Sequence, residues 1–230
     1  QQDTLDIDRA TCKAMLEGAQ TAFTPLENLR PEQEFALPII NPATGAASRS
    51  YALSGKVDGI CTQDGETWLV EYKTAASVDR QYISRLRLDG QVTTYLYAMQ
   101  RVLGCELAGV IYRIIRKPSI RQTQKETFEA YCQRLEADYR ERPEFYFTEE
   151  RLYRSQADLK RYEAELWSLT QRILWERKHD IHPMNTARCT DFGTCEYMPL
   201  CLGEAGCEAI YERREANEEL KGANENGSVA

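Results

Sequence analysis

The chain has 230 residues, 42% of them hydrophobic and 28% charged, with a formal net charge of −7. That size suits one large globular domain or two small ones, and the composition argues against a disordered or fibrous chain. No apolar run approaches the ~20 residues of a membrane span, no secretory signal is visible, and the acidic balance argues against a uniformly basic nucleic-acid binder, leaving local patches.

Residues 5–23 read as a helix with Asp6 or Asp8 near its start. Residues 34–40 and 49–60 read as strands around the turn-rich Asn41-Pro42-Ala43-Thr44-Gly45. A third strand, 67–74, follows Gln63-Asp64-Gly65-Glu66, whose Asp-Gly suits a tight hairpin. Residues 79–103 read as mostly helical with a break near Leu88-Asp89-Gly90. A strand at 107–115, a helix at 127–140 and a strand at 145–154 follow. Residues 156–179 form a long amphipathic pattern with Leu159, Leu166, Leu169, Ile173 and Leu174 on roughly one side. Residues 208–221 read as a polar helix and 222–230 as a disordered tail. Strands alternating with helices predict an α/β fold: a mixed sheet flanked by helices, with a C-terminal helical lobe that carries cysteines.

Three short stretches carry chemistry: Asp58, then Glu71-Tyr72-Lys73, then Gln91-Val92-Thr93-Thr94-Tyr95. Residues two apart on a strand share a face, so Glu71 and Lys73 project together and Tyr72 turns away. The hairpin brings Asp58 beside Glu71. Two carboxylates and one ammonium then converge, which suits hard-cation binding and phosphodiester chemistry. Taken alone, Glu71 and Lys73 are also what an ordinary surface cross-strand pair looks like. The apolar neighbours Trp68, Leu69 and Val70 argue instead for burial, and charges are rarely buried without a partner or a task. Gln91 and Tyr95, four apart, share a helix face. Two basic stretches, Arg80/Arg85/Arg87 and Arg113–Arg121 with Lys125, are expected to contact phosphate.

The eight cysteines divide in two. Cys12, Cys61, Cys105 and Cys132 are scattered and read as small buried hydrophobes. Cys189, Cys195, Cys201 and Cys207 form C-x5-C-x5-C-x5-C in a loop rich in Pro and Gly. That spacing suggests a metal or cluster site over disulfides. Spacing alone leaves zinc and iron–sulfur open.

In this order the three motifs resemble the PD-(D/E)XK nuclease superfamily, specifically its RecB-like exonuclease branch, which includes iron–sulfur nucleases of phages and of CRISPR adaptation. The resemblance implies a restriction-endonuclease-like core over residues 1–180 that lacks its N-terminal segment, and a cysteine-rich lobe over 181–221. It implies Mg²⁺ or Mn²⁺ held by Glu34 (with Glu32 as competitor), Asp58, Glu71 and the Tyr72 carbonyl. Lys73 would assist the attacking water, and Gln91 and Tyr95 would contact DNA. Cys189, Cys195 and Cys201 would hold a [4Fe–4S] cluster, the fourth ligand being an upstream cysteine, Cys12 or Cys207. The expected activity is exonucleolytic, on single strands or ends of DNA, in a bacterial or phage-infected cytoplasm, with recombination or replication proteins as possible partners. Two rivals stay open: a weakly active or inactive DNA-binding or assembly protein of the same fold, and a zinc-stabilised structural module.

Overall fold

A computed structural model describes residues 2–191 and 193–212. The chain forms two compact units, residues 1–164 and 165–230. The boundary falls inside one long helix.

The first unit is built on a five-stranded sheet in the order β1-β2-β3-β4-β5. Its strands are β1 (Glu27–Ile40), β2 (Ala47–Gln63), β3 (Glu66–Ala75), β4 (Gly109–Arg116) and β5 (Phe147–Leu152). All neighbours are antiparallel except β3 and β4, which are parallel. A parallel neighbour needs a crossover. Helices α2 (Arg80–Leu86) and α3 (Gly90–Leu103) supply it. Helix α1 (Gln2–Ala22) precedes the sheet, and α4 (Phe128–Glu141) and the short α5 (Pro143–Tyr146) lie between β4 and β5. The predicted α/β class, a mixed sheet flanked by helices, is what the chain adopts.

The turn between β2 and β3 places both Asp64 (φ 55°) and Gly65 (φ 78°) in the left-handed region. That is the backbone a two-residue hairpin of the primed type needs, which is why Asp-Gly sits there. β1 and β2 run longer than predicted, and β1 extends back through Pro31 to Glu27. β1 is an edge strand, and proline is tolerated on an edge. α1 likewise starts earlier than predicted, at Gln2.

β4 shows how the two faces of the sheet are used. Every residue from Gly109 to Ile115 is buried. A strand covered on both sides reads as a continuous apolar run. Ile115 joins Ala14 and Met15 of α1 and Tyr131, Leu135 and Tyr139 of α4 in one core. α3 packs against β1 and β4, burying Val92, Leu96 and Met99. Each such side chain contributes about 1.5–3 kcal/mol of burial free energy.

Within the second unit, α6 (Gln156–His179) continues past the boundary, and the short helix α7 (Met198–Leu202) follows. Leu159 is buried, but Leu169 is exposed, so the predicted apolar stripe of α6 is not uniformly covered. Residues 207–210 form a 3₁₀ turn, where an α-helix was expected. The remainder of that predicted helix and the predicted tail lie outside the described residues. No described helix is long and apolar enough to cross a membrane.

Candidate active site

The β2–β3 ladder runs from Gln63↔Glu66 to Gly59↔Val70 and stops there. β2 continues beside β1, while β3 continues beside β4. The two strands of the hairpin therefore part at Asp58 and Glu71. Parting leaves the Tyr72 amide without a ladder acceptor from β2. Asp58 fills that need: its Oδ2 accepts from the Tyr72 N–H at 2.8 Å. This bond fixes an exposed carboxylate at the mouth of the split.

Glu71 is only 2% exposed. Its Oε1 meets the Lys73 ammonium. Its Oε2 is buried and takes no protein hydrogen bond among the described residues. Burial pushes the Glu71 carboxyl above the ordinary range, and the charge of nearby Asp58 adds to this. Lys73 opposes the shift without cancelling it. For Lys73 burial acts downward, but the Glu71 contact and the charge of Asp58 outweigh it and hold the ammonium above its usual range.

α3 brings the third motif. Asp89 caps it, accepting from Gln91 N at 2.7 Å and Val92 N at 3.2 Å. Gln91 Nε2 donates to Tyr95 Oη at 2.8 Å, so the two predicted helix residues form one polar unit. Tyr95 meets the Phe35 ring edge-on at 6.1 Å. Gly55 makes room for that ring, since a Cβ there would sit 2.6 Å from Phe35 Cζ. The charge of Asp89, at the start of α3, also acts on Glu71.

Glu34 stands apart. It is exposed on β1, in register with Lys56. Glu32, its competitor, pairs with Lys56 at 3.2 Å. No three His, Cys, Asp or Glu side chains among the described residues lie close enough to hold a metal. Glu34 is therefore not gathered with Asp58 and Glu71, and Cys189, Cys195 and Cys201 are not gathered with one another. All eight cysteines are free thiols. The Asp58 carboxylate, the unpartnered Glu71 Oε2 and the Tyr72 carbonyl remain as hard-oxygen donors, and Mg²⁺ or Mn²⁺ takes few protein ligands and keeps waters. The donor set fits such an ion. The thiols as placed do not form a cluster site.

One basic stretch is corrected by the structure. Arg113 is 4% exposed and faces inward. Its Nε donates to Glu149 at 2.8 Å, Nη1 to Tyr72 Oη at 3.2 Å and Nη2 to the Thr24 carbonyl at 2.6 Å. It cannot also contact phosphate. Arg116 lies over the Phe145 ring at 4.0 Å. The sequence signal was present: Arg113 interrupts the apolar run of a strand buried on both faces.

Two further residues border the site and carried no sequence signal. Tyr112 is in register with Glu71 across the parallel pair. Burial, with the neighbouring Tyr82 phenol, keeps Tyr112 well above the ordinary phenol range. Arg154, just after β5, ties the joint between α2 and α3. It donates to Thr93 Oγ1 at 2.8 Å, the Leu86 carbonyl at 3.2 Å and the Asp89 carbonyl at 3.0 Å.

A mixed α/β sheet whose central hairpin opens onto two carboxylates and a lysine presents the groups that metal-assisted phosphodiester chemistry uses. A family model described as the PD-(D/E)XK nuclease superfamily matches residues 4–202, most of the chain. The protein belongs to that superfamily of metal-using nucleases. No curated protein matches it. A solved structure entitled "Crystal structure of SSO0001" is similar at 16% identity and a TM-score of 0.34. The similarity covers 66% of this chain and 56% of that one, so the match spans little more than half of that protein's length.

Proposed function

We propose that the protein is a Mg²⁺- or Mn²⁺-dependent deoxyribonuclease of the RecB-like type, degrading single-stranded DNA or DNA ends as an exonuclease. One observation carries the reading: a buried glutamate has one oxygen on Lys73 and the other without a protein partner, beside a second, fixed carboxylate. A protein rarely buries a carboxylate oxygen unsatisfied unless another ligand is meant for it.

In this reading Asp58, Glu71 and the Tyr72 carbonyl hold the ion. When bound, it polarises the phosphate and makes water a better nucleophile. The Tyr72 N–H keeps Asp58 oriented. Lys73 positions the attacking water and stabilises charge that develops on the phosphate. Gln91 and Tyr95 lie along the DNA, with the Tyr95 ring available to stack on a base. Recombination or replication proteins are the class of partner such an activity would serve.

Linear and circular single-stranded DNA, offered with Mn²⁺, with Mg²⁺ and with EDTA, test this directly. We expect metal-dependent loss of the linear strand and survival of the circle. Equal cutting of the circle rejects the exonuclease assignment, and no cutting of either with both metals rejects the nuclease.

The cysteine row carries a separate expectation, a [4Fe–4S] cluster on Cys189, Cys195 and Cys201 with a fourth thiolate from Cys12, Cys207 or an upstream residue. It rests on spacing and resemblance, and no step above runs through it. Anaerobically purified protein should be brown with broad visible absorbance. A colourless sample that contains zinc sinks the cluster in favour of a zinc module.

A further inference from the structure

Three arginines on and just after α2 hold no carboxylate among the described residues. Arg80 and Arg85 lie on α2, and Arg87 follows it. All three are exposed. None pairs with a carboxylate among the described residues. Five other arginines, Arg101, Arg113, Arg134, Arg142 and Arg172, each hold a carboxylate at 2.6–2.8 Å. The chain's net charge of −7 offers many acidic partners, yet these three guanidinium groups beside the candidate site hold none.

The corner is held rigidly to the candidate active site. Asp79 caps α2 through Tyr82 N at 2.7 Å. Tyr82 lies beside Tyr112, which is in register with Glu71. The Arg85 guanidinium lies over the Tyr82 ring at 5.7 Å. Arg154 bonds carbonyls at both ends of the α2–α3 joint. Arg154 is itself desolvated and serves no carboxylate by hydrogen bond, so its positive charge is used to lock this joint.

We infer that the Arg80–Arg85–Arg87 corner is the phosphate track that leads a single nucleic-acid strand to the Asp58–Glu71–Lys73 site, with Arg154 as its positioning residue. This rests on the proposed nuclease function. It separates the two basic stretches of the sequence: Arg113 is spent inside the fold, and the α2 corner does the binding. Guanidinium groups suit phosphate oxygens because their planar fork can donate two hydrogen bonds to one anion.

Salt dependence of binding is the test, read by anisotropy of an end-labelled oligothymidylate with the full chain in EDTA, where no cleavage occurs. Each phosphate contact on a single strand contributes about 0.7 to the slope of log affinity against log salt. The variant R80A/R85A/R87A should lose about 2 from that slope. R80K/R85K/R87K should retain it, and R121A/K125A, which removes exposed charge from the other stretch, should leave it unchanged. Arg154→Ala should lower the slope less than the triple variant does. An unchanged slope in R80A/R85A/R87A, an equal loss in R121A/K125A, or no binding by the wild type overturns the track. If the wild type binds with the expected slope but cuts nothing with Mn²⁺, the catalytic reading fails and the track stands. If it cuts and the triple variant keeps the slope, the reverse holds.

Discussion

Glu71→Gln should raise the melting temperature of the metal-free protein while removing metal-dependent cleavage. Glu71 is buried, one of its oxygens has no protein partner, and burial already pushes its carboxyl upward. A folded-state pKa above the unfolded one means that folding favours the protonated form. The contribution is fully present below the unfolded value and is lost as pH rises through the folded value. At neutral pH the native state therefore carries this cost. A neutral amide of the same shape removes the cost and can still accept from Lys73. Neutralising a function-bearing group that the fold buries with one oxygen unpartnered is commonly stabilising, here on the order of 1 kcal/mol. For a chain of this size that is about 2–4 °C. The gain should shrink on acidification and vanish below about pH 4, where the glutamate is protonated in both states. Melts of both proteins in EDTA across pH check it. A lower melting temperature for the variant at pH 7 contradicts the claim that Glu71 is a destabilising, function-bearing group.

Arg113→Ala should have the opposite and larger effect, destabilising by roughly 3–5 kcal/mol. The side chain is 5% exposed and donates in three directions, to Glu149, Tyr72 and the Thr24 carbonyl. It also lies over the Phe23 ring at 4.7 Å. Truncation leaves a carboxylate and a carbonyl short of a donor and opens a void between sheet and helix. The loss in melting temperature should be on the order of 10 °C. Arg113→Lys should recover little, because one ammonium on a single stem cannot reproduce the planar fork. Urea or thermal melts decide it. A variant within about 0.5 kcal/mol of wild type would show that Arg113 is a surface residue after all. Arg113 also matters to the site, since it holds Tyr72, the residue between Glu71 and Lys73, from the other face of the sheet.

The parts of the fold legible in the sequence were those written in local pattern. The Asp-Gly turn, the Glu-x-Lys alternation on β3 and the four-residue spacing of Gln91 and Tyr95 each depend on neighbours a few residues away. They predicted the hairpin and the shared helix face on which Gln91 bonds Tyr95. β1 was underestimated at its start, where it runs back through Pro31: an edge strand tolerates proline, and edge position is a property of the whole sheet. Arg113 was misread for a related reason: a cation in an apolar strand is consumed or exposed according to what packs above it, here Thr24 and Glu149. Arg154 and Tyr112 were invisible because their partners lie far away in sequence. Glu34 was placed by resemblance. Its side chain stands opposite Lys56, and the strand register that sets this is not written in Pro31-Glu32-Gln33-Glu34-Phe35. The regular cysteine row was easy to see, but spacing does not bring thiols together in space.

The central claim is that Asp58, Glu71 and Lys73 form one hydrolytic site. It is tested most directly by Mn²⁺-dependent degradation of end-labelled single-stranded DNA, run side by side with the intact protein and Lys73→Ala. Lys73 is partly exposed, so its removal should leave the fold standing. The account predicts metal-dependent shortening by the wild type and a loss of at least ~100-fold in the variant, the size expected for removing one charge-stabilising donor. Equal rates from the two proteins would contradict it.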